Sequence, residues 1–208
     1  MVNIAPLTLF GLPIVSYLLG SIPWGLILTR RFSGIDVRRN GSGNIGATNV
    51  YRLGGARLAI LTLAADILKG LIPVWLAVSV TPQSFGGDLF CSAVALAAVL
   101  GHLFPIYLRF KEGGKGIAVT AGCFLLIAPV ASTISILVFI LSVWLSNRVS
   151  IASLIASILL PFPVWMTTGS VPITGCAGIV AGLIIIRHIP NIKRLISGTE
   201  HKFRNWYR

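Results

Sequence analysis

The sequence predicts an all-α membrane protein: a bundle of seven transmembrane helices, N-terminus outside and C-terminus in the cytoplasm. Three observations carry that expectation. Of 208 residues, 55% are hydrophobic and only 11% charged, and the mean hydropathy is +0.90. A water-soluble fold could not hide that much apolar surface. The apolar residues gather in runs approaching the roughly 20 residues that cross a bilayer as a helix. The Lys and Arg residues, finally, fall almost wholly in alternate connections between those runs.

The first run extends from about Ile4 to Leu28. No basic residue precedes it and Arg30-Arg31 follow it, the mark of a retained span rather than a cleavable leader. The second, Leu58–Val80, contains Asp66 and Lys69 one helical turn apart. Charges in lipid are costly unless they pair or face water, and mutual pairing with a structural role is the expectation. Leu89–Leu108 is the third run. Ile117–Ala131 and Thr133–Leu145 are short and meet near Pro129, so five full spans plus a re-entrant pair is the alternative. Val149–Met166 and Val171–Ile186 complete the set. In the last, Gly178 and Gly182 have the small-xxx-small spacing of close helix contacts. With no internal repeat and no separate soluble segment, residues 1–208 read as one domain.

The net charge of +12 would point to nucleic acid in a soluble chain, but its placement points to a membrane and excludes that partner. Arg30, Arg31, Arg38, Arg39, Arg52 and Arg57 lie in the first connection. Arg109, Lys111 and Lys115 lie in the third, and Arg148 in the fifth. Arg187, Lys193, Arg194, Lys202, Arg204 and Arg208 follow the last span. All but one of the 17 Lys and Arg residues are so placed, and the exception is Lys69. By the positive-inside rule these connections are cytoplasmic. Cys91, Cys123 and Cys176 are odd in number and embedded in apolar runs, so they read as core residues, neither a disulfide nor a metal set.

Three polar clusters then share one side. The first is Arg38-Arg39-Asn40-Gly41-Ser42-Gly43-Asn44-Ile45-Gly46-Ala47-Thr48-Asn49-Val50-Tyr51-Arg52, a loop whose glycines let backbone N–H groups approach a ligand. Arginines at its ends offer fork-shaped donors for phosphate or carboxylate. The second is Lys111-Glu112-Gly113-Gly114-Lys115-Gly116, a glycine-rich turn feeding a helix N-terminus, which favours anions but lacks P-loop spacing. The third is Arg187-His188-Ile189-Pro190-Asn191, followed by Gly198-Thr199-Glu200-His201. Each has a plainer reading: a flexible loop, a short basic turn, a lipid-binding tail. Ser150 and Ser153 open the sixth span, where serines commonly bond backbone. His102 reads as a helix-end hydrogen-bonding residue.

Taken with Gly20-Ser21-Ile22-Pro23, these motifs stand in the order of a known family. The chain resembles the bacterial acyl-phosphate:glycerol-3-phosphate acyltransferases over nearly its whole length, most specifically in Gly41–Asn49. The resemblance implies a seven-helix protein of the bacterial cytoplasmic (inner) membrane acting in phospholipid biosynthesis. It would transfer a fatty acyl group from acyl phosphate to the 1-hydroxyl of sn-glycerol 3-phosphate, without cofactor or metal, yielding lysophosphatidic acid and phosphate. It also implies that Ser42, Arg52, Lys115, His188 and Asn191 are catalytic. Gly41, Gly43, Asn44, Thr48, Asn49, Gly113, Gly114, Ser153, Arg187 and Glu200 would bind substrate. Ser42 and Thr48 would hold the acyl phosphate; Arg52, Lys115, Ser153, His188 and Asn191 would hold glycerol 3-phosphate. Glu112 departs from the family pattern, in which Lys111 runs directly into the glycines.

Elementary electrostatics agrees with a many-cation site. Two phosphate dianions roughly 7 Å apart repel by about 9 kcal/mol at an effective dielectric near 20. Arg52 and Lys115, with some of Arg38, Arg39, Arg187 and Arg194, can offset this. The His-x4-Asp pair of other glycerolipid acyltransferases is absent: Tyr107, Lys193 and Trp206 stand five residues after His102, His188 and His201. An organic-phosphate transporter is the alternative, though it would favour an inverted repeat and charge near the midplane. A lipid-binding scaffold would need the basic residues without the Gly41–Asn49 chemistry.

Overall fold

The computed structural model describes residues 6–203, so the expected start at Ile4 and the tail cations Arg204 and Arg208 lie outside the described residues. Helices α1 (Pro6–Gly20) and α2 (Trp24–Ser33) together make the first apolar segment. They part at Ser21-Ile22-Pro23 because proline removes a donor and drives the preceding residue from helical conformation. Gly34, at φ 66°, ends α2 in a left-handed cap.

Helix α3 (Ala47–Val80) starts well before the expected Leu58 and bends at Gly55, whose φ of 80° and ψ of 178° break the helical path. The end of the glycine-rich run is therefore helix, not loop. Packing explains it: Val50 is buried with Leu26, Val37, Ile45, Leu58 and Ala59 in a small apolar cluster, and such burial overrides weak propensity. Helix α4 (Phe85–Leu103) is followed by a 3₁₀ turn, Ile106–Leu108.

Helices α5 (Ile117–Ile127) and α6 (Pro129–Ser146) meet at Ala128, as the proline anticipates. They are unequal, however. The 11-residue α5 spans about 16 Å, too short to cross a bilayer alone. The 18-residue α6 is long and apolar enough to cross, so the expected pair of short segments is one segment of full-span length and one of about half that. Helices α7 (Val149–Leu159) and α8 (Pro161–Thr168) form the next span, then α9 (Val171–Arg187) turns by 56° into α10 (Ile189–Ile196). Among the described residues, five helical segments are long and apolar enough to cross, and the bent α9–α10 pair, taken as one span, makes six.

The segment Phe85–Leu108, which contains α4, has 61% of its most apolar stretch buried and is the central span, whereas α6 has only 17% and lies at the lipid-facing rim. Val94, Val99, Val119, Phe124 and Val180 join α4, α5 and α9 in the main core. Glycines mark the closest approaches. A Cβ on Gly101 would lie 2.2 Å from the Tyr17 carbonyl, and one on Gly122 would lie 2.1 Å from that of Ile67. Gly178 and Gly182 instead face open space. The close contact expected of them is not made within the chain, where the tight crossings belong to α1–α4 and α3–α5. The three cysteines are buried and unpaired.

Candidate active site

Four helices, α3, α5, α7 and α10, begin at one end of the bundle around a cavity of about 140 Å³. Ala47 and Thr48, Ile117 and Ala118, Val149 and Ser150, and His188 and Asn191 bring those four starts to its wall. None of the four has a side-chain cap. The first N–H groups of a helix have no partner within it and its dipole is positive there. Convergent uncapped N-termini make an anion site out of backbone.

The glycine-rich loop reaches this cavity by an internal brace. Asn49 is 1% exposed. Its Oδ1 accepts from the Ser42 N–H at 2.9 Å, and its Nδ2 donates to the carbonyls of Val37 (3.0 Å), Asn40 (3.2 Å) and Asn44 (3.0 Å). Gly41 and Gly43 take left-handed φ values of 61° and 70°, which let the chain close around that amide. Asn44 Oδ1 accepts from Gly46 N–H at 2.9 Å while its Nδ2 faces the Gly113 carbonyl at 3.4 Å. Asn49 and Gly41, expected to touch substrate, also shape the loop that presents Ser42, and Asn49 lines the inner cavity itself.

The second turn is braced in a similar way. Arg187 donates to the carbonyls of Gly113 (2.6 Å) and Gly114 (3.1 Å), and the Gly114 N–H donates to the His102 carbonyl at 3.0 Å. Glycine is required there by crowding: a Cβ on Gly114 would sit 1.9 Å from His102 Nε2. Gly113, Gly114 and Arg187 therefore support the turn, and the helix start facing the inner cavity comes afterwards, at Gly116–Ala118.

Ser42, Thr48, Arg52, Lys115, Ser153, His188, Asn191 and Glu200 all line the inner cavity, so the structure brings the expected catalytic set together. His188 Nδ1 lies 2.8 Å from the Ile184 carbonyl. A carbonyl only accepts, so Nδ1 carries the proton and Nε2 is the ring's acceptor when neutral. Asn191 Nδ2 donates to Glu200 Oε1 at 2.7 Å, leaving its buried Oδ1 without a partner. Glu200 Oε2 takes the Arg194 Nε–H at 2.7 Å. Burial raises the Glu200 carboxyl's pKa, but hydrogen bonds from Asn191 and Arg194 outweigh it and hold the group below its usual value. Glu200, expected to bind substrate, lines the cavity while its two oxygens accept from Asn191 and Arg194. Lys115 feels burial first, then Arg194, Arg52 and Arg187, against the attraction of Glu200; its pKa falls to about 8.

Two further cavities adjoin. An outer polar one of about 320 Å³ shares Ser42, Asn44, Lys115 and Asn191 with the inner cavity and adds Arg187 and Arg194. An apolar groove, also about 320 Å³, runs among α3, α5, α6 and α7 and shares Leu63, Ile117, Ala118 and Phe139 with the inner cavity. Arg38, a candidate cation, is engaged elsewhere, with Asp36 at 2.7 Å and Glu112 at 2.9 Å. The Arg38 hydrogen bond holds the Asp36 carboxyl well below the usual carboxylate range. Glu112 thus meets the first connection instead of entering the inner cavity. Asp66 and His102, which the sequence marks as a paired charge and a helix-end residue and not as site residues, also line that cavity; a charge inside an apolar run is the signal that points there.

The family described as glycerol-3-phosphate acyltransferase matches residues 10–198. A protein of that name from Syntrophotalea carbinolica is 44% identical over 191 residues, covering 92% of this chain and 95% of the relative. Its namesake from Desulfotalea psychrophila is 47% identical over 195 residues, covering 94% and 98%. The crystal structure of PlsY (YgiH), an integral membrane glycerol 3-phosphate acyltransferase, in its glycerol 3-phosphate form matches with a TM-score of 0.88 at 36% identity, covering 94% of this chain and 95% of that one. Its lysophosphatidic acid form matches at 0.85, again with 36% identity, covering 93% and 94%. The motifs, the helical architecture and these likenesses over nearly the full length agree: the chain belongs to the glycerol-3-phosphate acyltransferase family of integral membrane proteins.

Proposed function

We propose that this protein transfers a fatty acyl group from acyl phosphate to the 1-hydroxyl of sn-glycerol 3-phosphate, at the cytoplasmic side of a bacterial inner membrane. One observation carries the reading: a polar cavity framed by four helix N-termini adjoins an apolar groove and shares wall residues with it. A donor with a phosphate head and a hydrocarbon tail matches that pair. Its head would rest on Ser42, Thr48 and the start of α3, and its tail in the groove, where each buried methylene contributes about 0.8 kcal/mol relative to water. Arg52, Lys115 and Ser153 would hold the phosphate of glycerol 3-phosphate.

His188 Nε2 and Asn191 Oδ1, both acceptors, suit the glycerol hydroxyls and orient the 1-hydroxyl for attack. Its oxygen bonds the acyl carbon, the bond from that carbon to the phosphate oxygen breaks, and the hydroxyl proton goes to a phosphate oxygen. Backbone N–H groups at the helix starts stabilise the charge developing on the carbonyl oxygen. Acyl phosphate is a mixed anhydride with a good leaving group, so no strong base and no acyl-Ser42 are required. The one-sided basic connections support cytoplasmic orientation.

Membrane vesicles test donor and sidedness together. With glycerol 3-phosphate outside, inverted vesicles should make lysophosphatidic acid from acyl phosphate as sole donor, and right-side-out vesicles should not. Turnover with acyl-CoA or acyl carrier protein thioester but none with acyl phosphate would refute the donor. Turnover only in right-side-out vesicles would refute the orientation.

The depressed Lys115 pKa gives a second expectation. Free enzyme keeps the ammonium below about pH 8 and loses it above, so phosphate binding weakens on the alkaline side. The KM for glycerol 3-phosphate should rise by about tenfold per pH unit well above that point, as for one required proton. In Lys115→Arg, whose guanidinium stays charged, the alkaline rise should flatten. An unchanged alkaline profile in that variant would assign the titration elsewhere.

A further inference from the structure

We infer that Asp66, Lys69 and His102 form a positioning unit that sets the turn carrying Lys115, and thereby the affinity for the acceptor's phosphate. The inference rests on the proposed contact between Lys115 and that phosphate. All three residues lie within the bundle, with exposures of 2%, 5% and 3%. Lys69 Nζ is 2.9 Å from Asp66 Oδ1 and donates to the Ile22 carbonyl at 2.9 Å. Ile22 stands where Pro23 opens the first span, so the ammonium serves a carbonyl beside that helix break. His102 Nδ1 lies 3.8 Å from the same Asp66 oxygen, buried and without a hydrogen-bond partner.

The other side of the His102 ring is where the unit meets the site. It packs so closely on Gly114 that a methyl group there would lie 1.9 Å from Nε2, and the His102 carbonyl takes the Gly114 N–H. Arg187 grips the carbonyls of the same turn. The residue before Lys115 is thus fixed between the guanidinium and the imidazole, and the imidazole faces the Asp66–Lys69 pair. Stability is a poor reason for such a pair, because buried ion pairs gain little over apolar groups of similar size. Fixing the register of a turn is a better one. Asp66 and His102 also reach the inner cavity wall, and there Lys69 balances the carboxylate beside an anion site.

The experiment uses purified full-length protein in lipid, with kcat, KM for glycerol 3-phosphate and Tm measured for each variant. His102→Phe keeps a ring on Gly114 but removes Nδ1. Asp66→Asn with Lys69→Met removes both charges together and avoids stranding one. Each should raise KM by about tenfold while leaving kcat within about threefold, because Lys115 is displaced without being lost. In a Lys115→Ala background neither should raise KM further, since residues acting through one contact do not add. Lys115→Ala alone checks the underlying reading: an unchanged KM there removes that lysine from the phosphate site. If Lys115→Ala does raise KM, that reading stands. A wild-type KM in folded His102→Phe or the double variant, or full additivity with Lys115→Ala, then overturns the positioning unit by itself. Failure of both cluster variants to fold overturns it too, reducing the three residues to structural packing.

Discussion

Arg52→Ala is expected to lower kcat/KM for glycerol 3-phosphate by about a hundredfold or more, and Arg52→Lys to recover little of that loss. Arg52 lines the inner cavity from the second turn of α3, together with Lys115 and Ser153. A guanidinium can place two parallel N–H donors on one phosphate; an ammonium meets it as a point charge. Hydrogen bonds to charged groups contribute about 1.5–3 kcal/mol each. Losing two predicts a deficit of at least about a hundredfold, since about 1.4 kcal/mol is tenfold. The lysine variant retains charge and so isolates geometry. Near-wild-type kinetics for Arg52→Lys at subsaturating glycerol 3-phosphate would show that charge alone suffices and refute the bidentate contact.

Asn49→Asp is expected to be as damaging, although it changes no volume and touches none of the expected catalytic residues' side chains. The amide nitrogen of Asn49 serves three carbonyls of the glycine-rich loop. A carboxylate offers no donor and sets negative charge against all three. An unsatisfied buried polar group costs about 1–3 kcal/mol, more when charged, so the loop should open and release the Ser42 backbone. Turnover should fall by about a hundredfold or more, with rapid proteolysis between residues 37 and 49 as the structural readout. Wild-type turnover and unchanged proteolysis in Asn49→Asp would show that the loop holds its shape without the amide.

What could be read from the sequence follows from which signals are local. Apolar runs and one-sided cations are local sums, so the seven apolar segments were legible, as was the pairing of Asp66 with Lys69. The start of α3 was not, because Ala47–Arg52 has no apolar periodicity and is helical only through the burial of Val50 beneath α2. The resemblance named the residues lining the inner cavity but could not apportion their work. Asn49, Glu200, Gly113, Gly114 and Arg187, expected against substrate, also make hydrogen bonds that hold other parts of the site. That distinction depends on which atoms remain unbonded after folding, as Asn191 Oδ1 does and Asn49 Nδ2 does not. No residue pattern records it.

The meeting of four helix starts around one cavity bears on biogenesis. Those starts lie at Ala47, Ile117, Val149 and Ile189, so they are synthesised one after another. Without the last of them, the cavity's wall is incomplete. Helices in a membrane associate after insertion, and here that association, not insertion, creates the catalyst. Substrate phosphates in the cell therefore meet either a finished enzyme or a set of inert spans. A ligand that enters afterwards also ties the first-made helix to the last-made one, making catalytic competence a report on completed assembly.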